Sequence, residues 1–367
     1  MISAPLRASL GEAWRRGLPG PWPLLLAPAV WAYRAGLTAH RGAYRLGLRR
    51  PTRLDRPVIS VGNLTVGGTG KTPLVELVAR HLLGQGRRVL VLSRGYGRAG
   101  AKTVVVADGE RVLADAAAAG DEPVLLARRV PGLRIVVGRD RGRTGTWALD
   151  RLGADVVLLD DGFQHQRLVK DVEVVCLDAR APWGSGRLLP AGPLREPPRA
   201  LGRAHLVVLT APGGEGVAAA DLAAIRRAAP QAILATAAYQ VQGLRRLADE
   251  AGPAAAGGDP WASLRDVPVL AFAGLAAPER FAITLAEGRL AVRGLVAFPD
   301  HHPYRAGDLA HLDREARRAG ALALVTTEKD AVRLPPSTGL PVWVVEARLV
   351  LVDGEAGFWK ALEARLR

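Results

Sequence analysis

One segment near residue 60 limits the folds open to this chain more than any other feature. An apolar run at 58–60 leads into a glycine-rich stretch, VGNLTVGGTGKTP at 61–73, and an amphipathic helical pattern follows directly. Gly67, Gly68 and Gly70 allow backbone N–H groups to close around phosphate oxygens, and a helix N-terminus adds partial positive charge. This order of strand, loop and helix predicts a phosphate-binding loop within an α/β domain.

The side chains of this loop have predicted roles. In a loop of this kind Lys71 reaches the β- and γ-phosphates of a nucleotide, and Thr72 binds Mg²⁺. The residues predicted to hold the nucleotide are Thr65, Val66, Gly67, Gly68, Thr69, Gly70, Lys71 and Thr72. The usual motif has glycine at the first of these positions, where this chain has threonine. The alternative interpretation is a glycine-rich turn that binds no nucleotide.

Apolar runs spaced along the chain predict a largely parallel sheet. After the loop and its helix, such runs lie at 88–93, 103–109, 134–140, 154–162 and 173–178. A loop rich in Gly and Pro follows at 179–200, and the later runs lie at 205–210, 268–274, 322–328 and 341–346. Apolar strands with helical patterns between several of them are typical of sheets covered on both faces. The expected fold class is α/β: a P-loop NTPase-like domain with a mainly parallel sheet flanked by helices, and a second, smaller α/β domain.

Acidic residues and glycines after other strands are open to more than one interpretation. The run at 154–162 ends in Asp160 and Asp161, where the acid of a Walker B strand lies near the metal, although Asp-Asp-Gly also suits an ordinary turn. The GxGxxG spacing that begins at Gly95 predicts a turn, because a strand-like segment follows where a dinucleotide site needs a helix. DHHPY at 300–304 could supply a metal ligand, a proton relay or a surface loop, and TTEKD at 326–330 lacks the Asn of a guanine-binding NKxD.

Charge and cysteine content narrow the classes of partner. A net charge of +15 favours nucleic acid, anionic lipid or phosphorylated substrates, although a basic proteome would give the same excess. Aromatic residues are few and are not interleaved with Arg, so no nucleic-acid partner is predicted. Cys176 is the only cysteine, which excludes an intrachain disulfide and a multi-cysteine zinc site and fits a reducing cytoplasm.

The N-terminal segment is apolar and bounded by arginines. Residues 17–33 carry no charge but contain four prolines, so they are marginal as a membrane-spanning helix. Arg15 and Arg16 before the run and Arg34 after it suit a segment that lies in a membrane interface. The alternative is a segment that packs on the core of the protein itself.

A set of longer motifs occurs in one order between residues 61 and 334. The stretches are VGNLTVGGTGKTP, LSRGYGR, GDEP, VGRDR, DDGFQH, GRLLPAGPLREP, FPDHHPY and TTEKDAVRL. Together they resemble the tetraacyldisaccharide 4'-kinase family, in which the first loop position is also Ser or Thr. The resemblance implies transfer of the γ-phosphate of ATP, with Mg²⁺, to the 4'-hydroxyl of a lipid disaccharide 1-phosphate in lipid A biosynthesis. It further implies an apolar N-terminal helix on the anionic cytoplasmic face of the inner membrane, and no obligate protein partner is evident.

The resemblance also implies roles for single residues. Asp121 of GDEP matches the catalytic acid–base residue and His301 its partner from the second domain, and with Lys71 they complete the predicted catalytic set. Glu122 and Asp160 match residues near the metal, beside Thr72. Gln164 joins the predicted nucleotide-binding residues. The other residues expected to line the active site are Arg94, where one known member of the family has Lys, and Tyr96, Arg141, Asp161, His165, Arg195 and Glu196.

The domain boundaries expected from these features divide the chain into four parts. A membrane-associated segment at 1–54 precedes the P-loop domain at 55–200. A second α/β domain at 201–345 closes over the active site, and a tail helix occupies 346–367. Two other classes stay open: a regulatory GTPase or metal-insertion NTPase, and an ATP-using nucleic-acid-binding protein whose DNA affinity would depend steeply on salt.

Overall fold

The computed structural model separates into two compact units, which are described one at a time. The larger unit comprises Leu10–Ala238 and Leu349–Arg367, and the smaller unit comprises Tyr239–Arg348. The residues that the structure describes are Trp14, 17–67, 69–95, 98, 100, 102–211, 216–248, 259–275, 278–300, 302–335 and 339–366. The site predictions at Gly68, Tyr96 and His301 lie outside the described residues.

The larger unit is built on a mainly parallel sheet. Its strands are β1 (Val58–Asn63), β2 (Val89–Ser93), β3 (Val104–Asp108), β4 (Arg134–Val137), β5 (Val156–Asp160), β6 (Val172–Asp178), β7 (Leu206–Thr210) and the start of β8 (Ile233–Arg246). They are arranged β8-β7-β6-β1-β5-β2-β4-β3, and of these only β3 is antiparallel to its described neighbour. β1, β2 and β5 are buried along their whole length, because helices cover both faces.

Helices connect these strands and precede them. The described helices are α1 (Trp22–Leu25), α2 (Ala27–Arg45), α3 (Lys71–Gly84), α4 (Ala116–Ala119), α5 (Asp121–Arg129), α6 (Arg141–Leu152), α7 (Ala219–Ala228) and the 3₁₀ helix Pro198–Arg203. α3 buries the apolar side chains Leu74, Val75, Val78 and Leu82. α1 and α2, in contrast, contain no buried residue. Within the described part of the chain, no helix has the length and apolar character needed to cross a membrane.

The smaller unit repeats the α/β plan on a smaller scale. Its strands β9 (Val269–Ala273), β10 (Val292–Ala297), β11 (Ala323–Thr327) and the first part of β12 (Val342–Asp353) are parallel, in the order β10-β9-β11-β12. Its helices are α8 (Pro278–Glu287), α9 (Ala306–Arg318), α10 (Glu328–Ala331) and the 3₁₀ helix Ala262–Leu264. The final helix, α11 (Glu355–Glu363), belongs to the larger unit, and residues 346–353 of the segment expected to form a tail helix lie in strand β12.

The register of the central strands brings two predicted motifs together. β1 and β5 are parallel neighbours, and Val61 pairs with Asp160. The loop after β1 and the acidic turn after β5 therefore leave the same edge of the sheet. The turn packs closely on β1, since a Cβ added to Gly62 would lie 2.5 Å from Cβ of Phe163.

Candidate active site

The phosphate-binding loop has the backbone shape that its glycines permit. Gly67 and Gly70 have φ values of 117° and 86°, and Gly70 immediately precedes α3. The segment 193–195 supports the start of the loop: the Val66 N–H donates to the Pro193 carbonyl, and the Arg195 N–H donates to the Leu64 carbonyl, both at 2.8 Å. The loop is thus bonded to the Gly- and Pro-rich segment before α3 begins.

Buried polar groups hold the middle of the loop at Thr69. The Asn63 amide donates to the Thr69 hydroxyl at 2.9 Å. The Cys176 thiol and the Thr210 hydroxyl donate to the Thr69 carbonyl at 2.6 and 3.1 Å. Burial raises the pKa of Cys176 to about 12, so the thiol keeps its proton and acts as a donor. These bonds fix the carbonyl toward the interior of the unit.

Lys71 lies beside a carboxylate that a second cation also holds. Its Nζ is 3.6 Å from Oδ1 of Asp161, and Nη1 of Arg195 donates to both Asp161 oxygens at 2.9 Å. Burial alone would raise the pKa of Asp161, but Lys71 and Arg195 hold it below 3.8. Asp161 has a φ of 54°, which turns the chain sharply after β5. The ionised Asp161 therefore positions the lysine that is expected to meet phosphate.

Near the start of α3 lie carboxylate and hydroxyl oxygens that are only partly hydrogen-bonded. The Thr72 hydroxyl donates to Oε2 of Glu122 at 3.0 Å, and the Ser93 hydroxyl donates to Oδ2 of Asp160 at 3.1 Å. Oδ1 of Asp160 is buried and has no hydrogen-bond partner in the described structure. Burial and then the charge of Glu122 raise the pKa of Asp160 to about 6. A buried carboxylate oxygen without a partner, beside a hydroxyl and a second carboxylate, fits a hard divalent cation.

The described residues hold no ready cage of three His, Cys, Asp or Glu side chains for a metal. This finding is compatible with a cation such as Mg²⁺, which proteins usually bind through one or two carboxylates while water and substrate phosphates complete the shell. Asp160, Glu122 and Thr72 offer the kinds of oxygen atom that such a cation uses.

Arg141 contacts both Asp160 and His165. Arg141 is buried, and its Nη2 donates to the Asp160 carbonyl at 3.2 Å while Nη1 lies 3.5 Å from Nδ1 of His165. Burial, followed by the charge of Arg141, lowers the pKa of His165 to about 4, so the imidazole is neutral at pH 7. Gln164 donates to the Asn63 carbonyl at 2.8 Å and accepts from Arg195 at 3.3 Å, which ties the acidic turn to the end of β1.

Three other predicted site residues have the following surroundings. Glu196 is only 2% exposed, and its carboxylate pairs with Arg203 and Arg41. Arg94 is exposed at the end of β2, and its charge contributes to a lowered pKa at Arg141. Asp121 is the first residue of α5 and is half-buried.

Several supporting residues have no role in the sequence-based prediction. Asn63 and Ser93 are the last residues of β1 and β2, and a polar residue that ends an apolar strand is the signal that could have identified them. Lys170 donates to the Gly162 and Phe163 carbonyls at 3.3 Å. Arg203 donates to the Phe163 carbonyl at 3.4 Å. Nothing in the sequence marks Lys170 or Arg203 as supports of this turn.

In the smaller unit, the FPDHHPY and TTEKD segments are bonded to each other. Asp330 is fully buried and accepts from the Gly274 N–H, the Tyr304 hydroxyl, the Thr327 hydroxyl and Nη2 of Arg333, at 3.0, 3.0, 2.7 and 2.8 Å. Lys329 donates to Asp300 at 2.9 Å, and Arg333 also donates to the His302 carbonyl at 3.2 Å. Residues 329 and 333 therefore bond to the chain at positions 300 and 302.

Comparisons with known proteins agree with these features. The family model for tetraacyldisaccharide-1-P 4'-kinase, LpxK, matches residues 22–367. A tetraacyldisaccharide 4'-kinase from Geobacter metallireducens is 47% identical over 315 residues, which cover 85% of this chain and 88% of that protein. One from Anaeromyxobacter dehalogenans is 45% identical over 359 residues, which cover 95% of this chain and 92% of that protein.

The fold is also that of a solved relative. A crystal structure of LpxK from Aquifex aeolicus in complex with ATP matches with a TM-score of 0.74 and 28% identity, covering 94% of this chain and 100% of that one. The predicted P-loop NTPase-like α/β class is thereby confirmed. Because the family model matches nearly the whole length of this chain, the chain belongs to the tetraacyldisaccharide-1-P 4'-kinase family.

Proposed function

We propose that this chain transfers the γ-phosphate of ATP to the 4'-hydroxyl of a tetraacyldisaccharide 1-phosphate in lipid A biosynthesis. The observation that carries the proposal is the position of Lys71 beside Asp161 at the start of α3, within a chain of this kinase family. Phosphoryl transfer depends mainly on positioning and on neutralising charge, and this edge of the sheet supplies both.

The nucleotide is proposed to bind at the loop 65–72, with Gln164 beside it. Backbone N–H groups of a glycine-rich loop and the N-terminus of a helix attract phosphate oxygens. Lys71 then exchanges its contact with Asp161 for contact with the β- and γ-phosphates. The solved relative from Aquifex aeolicus was determined in complex with ATP, which supports ATP as the nucleotide here.

Mg²⁺ is the proposed metal, and Asp160, Glu122 and Thr72 are the residues that would hold it. The unpartnered Oδ1 of Asp160 and the Thr72–Glu122 hydrogen bond support this assignment. When bound, the cation would neutralise charge on the phosphate oxygens. Burial and the charge of Glu122 raise the pKa of Asp160 to about 6, and the carboxylate is still largely ionised at neutral pH.

Asp121 is the proposed base and His301 its partner. A sugar hydroxyl is a poor nucleophile until a base removes its proton. In the proposed reaction the 4'-oxygen forms a bond to the γ-phosphorus, the bond from that phosphorus to the β–γ bridging oxygen breaks, and ADP leaves. The hydroxyl proton passes to Asp121, and the imidazole of His301 shares it. If His301→Ala kept full turnover at saturating substrate, this assignment would fail.

The proposed location is the anionic cytoplasmic face of the inner membrane. The large apolar side chains Trp22, Leu24, Leu25 and Trp31 are exposed on α1 and α2, and basic residues follow along α2. Apolar side chains next to arginines suit an interface with anionic lipid. Deleting residues 1–40 is expected to release the protein from membranes and to raise KM for lipid more than KM for ATP, and a deletion variant that still binds membranes would contradict this location.

The GTPase alternative has little support in the smaller unit. A guanine-binding loop needs an aspartate free to contact the base, but Asp330 of TTEKD is fully buried and accepts four hydrogen bonds from its own unit. Among the residues that the structure describes, no feature favours the nucleic-acid alternative over a lipid substrate.

The decisive experiment is a transfer assay. Labelled ATP and a tetraacyl disaccharide 1-phosphate in detergent micelles are incubated with the chain, with labelled GTP in a parallel reaction and Asp121→Ala as the inactive control. The expected result is labelled bisphosphate lipid from ATP and little from GTP. Hydrolysis of nucleotide with no label in the lipid would refute the proposal.

A further inference from the structure

Helix α2 makes two polar contacts with the segment that supports the phosphate-binding loop. The Tyr33 hydroxyl donates to the carbonyl of Arg195 at 2.8 Å. About two turns further along the helix, the Arg41 guanidinium pairs with the Glu196 carboxylate. Because α2 has no buried residue of its own, these contacts are specific attachments rather than part of a continuous apolar interface.

At the Glu196 end of this attachment, two partly buried arginines surround one buried carboxylate. Glu196 also accepts from Arg203 at 3.0 and 3.2 Å. Burial, and then the charge of Arg203, lowers the pKa of Arg41 to about 10, which shows that the cation is held in an unfavourable setting. Buried charges of this kind are retained where each has a partner, and removing one partner leaves the other uncompensated.

From Arg195 the contacts continue to the catalytic lysine. The Arg195 backbone is bonded to Tyr33, and its side chain donates to both oxygens of Asp161 at 2.9 Å. Asp161 in turn lies 3.6 Å from Nζ of Lys71. The Arg195 N–H also bonds to Leu64 at the start of the loop, so the loop and the acidic turn depend on the same residue.

We propose that Tyr33 and Arg41 are positioning residues for phosphoryl transfer. They fix the Arg195–Glu196 segment and, through Arg195, the Asp161 carboxylate beside Lys71. Full activity then requires α2 to stay bound to this segment. In this way a helix that is proposed to face the lipid also affects nucleotide binding. The inference rests on the proposed function for its turnover readout, but its nucleotide-binding readout is independent of lipid.

Matched pairs of variants on α2 test the proposal. Tyr33→Phe removes one hydroxyl and is expected to lower kcat roughly three- to tenfold at saturating ATP and lipid, as loss of a single hydrogen bond would. Arg41→Gln is expected to lower kcat roughly tenfold or more, with partial rescue by Arg41→Lys. The controls Tyr44→Phe and Arg45→Gln make the same chemical changes elsewhere on α2 and are expected to stay within about twofold of the wild type.

Two further measurements separate positioning from lipid binding. ATP affinity, measured by calorimetry without lipid, is expected to change in Tyr33→Phe and Arg41→Gln but not in the controls. In an Asp161→Asn background, Arg41→Gln is expected to have little additional effect on kcat, because residues that act through one another are not additive. Changes confined to KM for lipid, or additive losses in the double variant, would overturn the proposal.

The possible outcomes distinguish a wrong proposed function from a wrong positioning role. Wild-type protein that binds ATP but transfers no phosphate to lipid contradicts the proposed function, and ATP affinity in the variants still decides the positioning role. If thermal unfolding shows that Arg41→Gln does not fold, the decision passes to Tyr33→Phe, which keeps the ring and the buried charges. Unchanged ATP affinity and kcat in a folded Tyr33→Phe would contradict the role of the helix.

Discussion

In the metal-free protein, the ionised Asp160 is expected to lower the free energy of unfolding. Its pKa is about 6 in the fold against an ordinary 3.8. Between these two values the folded state binds more protons than the unfolded chain, so the free energy of unfolding falls as the pH rises through this window. The difference of about two pKa units, at about 1.36 kcal/mol each, corresponds to a penalty of about 3 kcal/mol once the carboxyl is fully ionised.

Asp160→Asn removes this penalty and keeps an oxygen that can accept from Ser93. We expect the variant to be more stable than the wild type by about 3 kcal/mol near pH 8 and by about half as much near pH 5, where the wild-type carboxyl is mostly protonated in the fold. Kinase activity is expected to be lost, because the buried oxygen proposed to hold the metal no longer carries charge. The substitution thus gains stability at a position that function requires to be charged.

The assay is equilibrium unfolding in urea with a chelator present, at pH 5 and pH 8. Circular dichroism and tryptophan fluorescence are recorded together to test whether the transition is two-state. Asp155→Asn is the matched control, because hydrogen bonds from Arg88 hold the pKa of Asp155 at about 2. That variant is expected to lose stability at both pH values. An Asp160→Asn variant that is less stable than the wild type at pH 8, or whose gain does not depend on pH, would refute the reasoning.

Three other substitutions have defined expected results. Lys71→Ala should lower kcat roughly 100-fold or more while the unfolding midpoint stays near that of the wild type, since it removes a charge that acts on phosphate; retained turnover would contradict the role. Gly62→Ala places a Cβ 2.5 Å from that of Phe163. It should lower the free energy of unfolding in urea by about 1–3 kcal/mol, as overpacking does, and should also lower kcat. A neutral effect on both would show that the turn can move. Asp330→Ala leaves the buried Arg333 guanidinium without its carboxylate and should cost about 3–5 kcal/mol, measured by thermal and urea unfolding; a loss below about 1 kcal/mol would contradict the importance of this network.

The central part of the site could be predicted because its residues belong to local patterns. The loop before α3 and the acidic pair after β5 each follow an apolar run, and parallel pairing of β1 with β5 then brings them together. The direction of β3 could not be predicted in the same way. An apolar run does not encode the orientation of its neighbour, and β3 is antiparallel to β4.

The supports of the site could not be predicted, for a different physical reason. Lys170 and Arg203 bind backbone carbonyls of the acidic turn, and a carbonyl presents the same acceptor at every position of the sequence. Arg41 and Glu196 are distant in the chain and pair only after folding. Contacts of this kind depend on three-dimensional distances, which no spacing rule contains, so the sequence does not reveal that Arg41 and Arg203 pair with the buried Glu196 carboxylate.

The single cysteine gives the folded chain a built-in probe of its loop. Cys176 is fully buried with its thiol against the Thr69 carbonyl, and an alkylating reagent needs a thiolate that it can reach. Modification therefore has to wait for the loop to open, and its rate reports how often that happens. No engineered label is needed: the time course of alkylation, with and without ATP, measures how firmly nucleotide closes the loop.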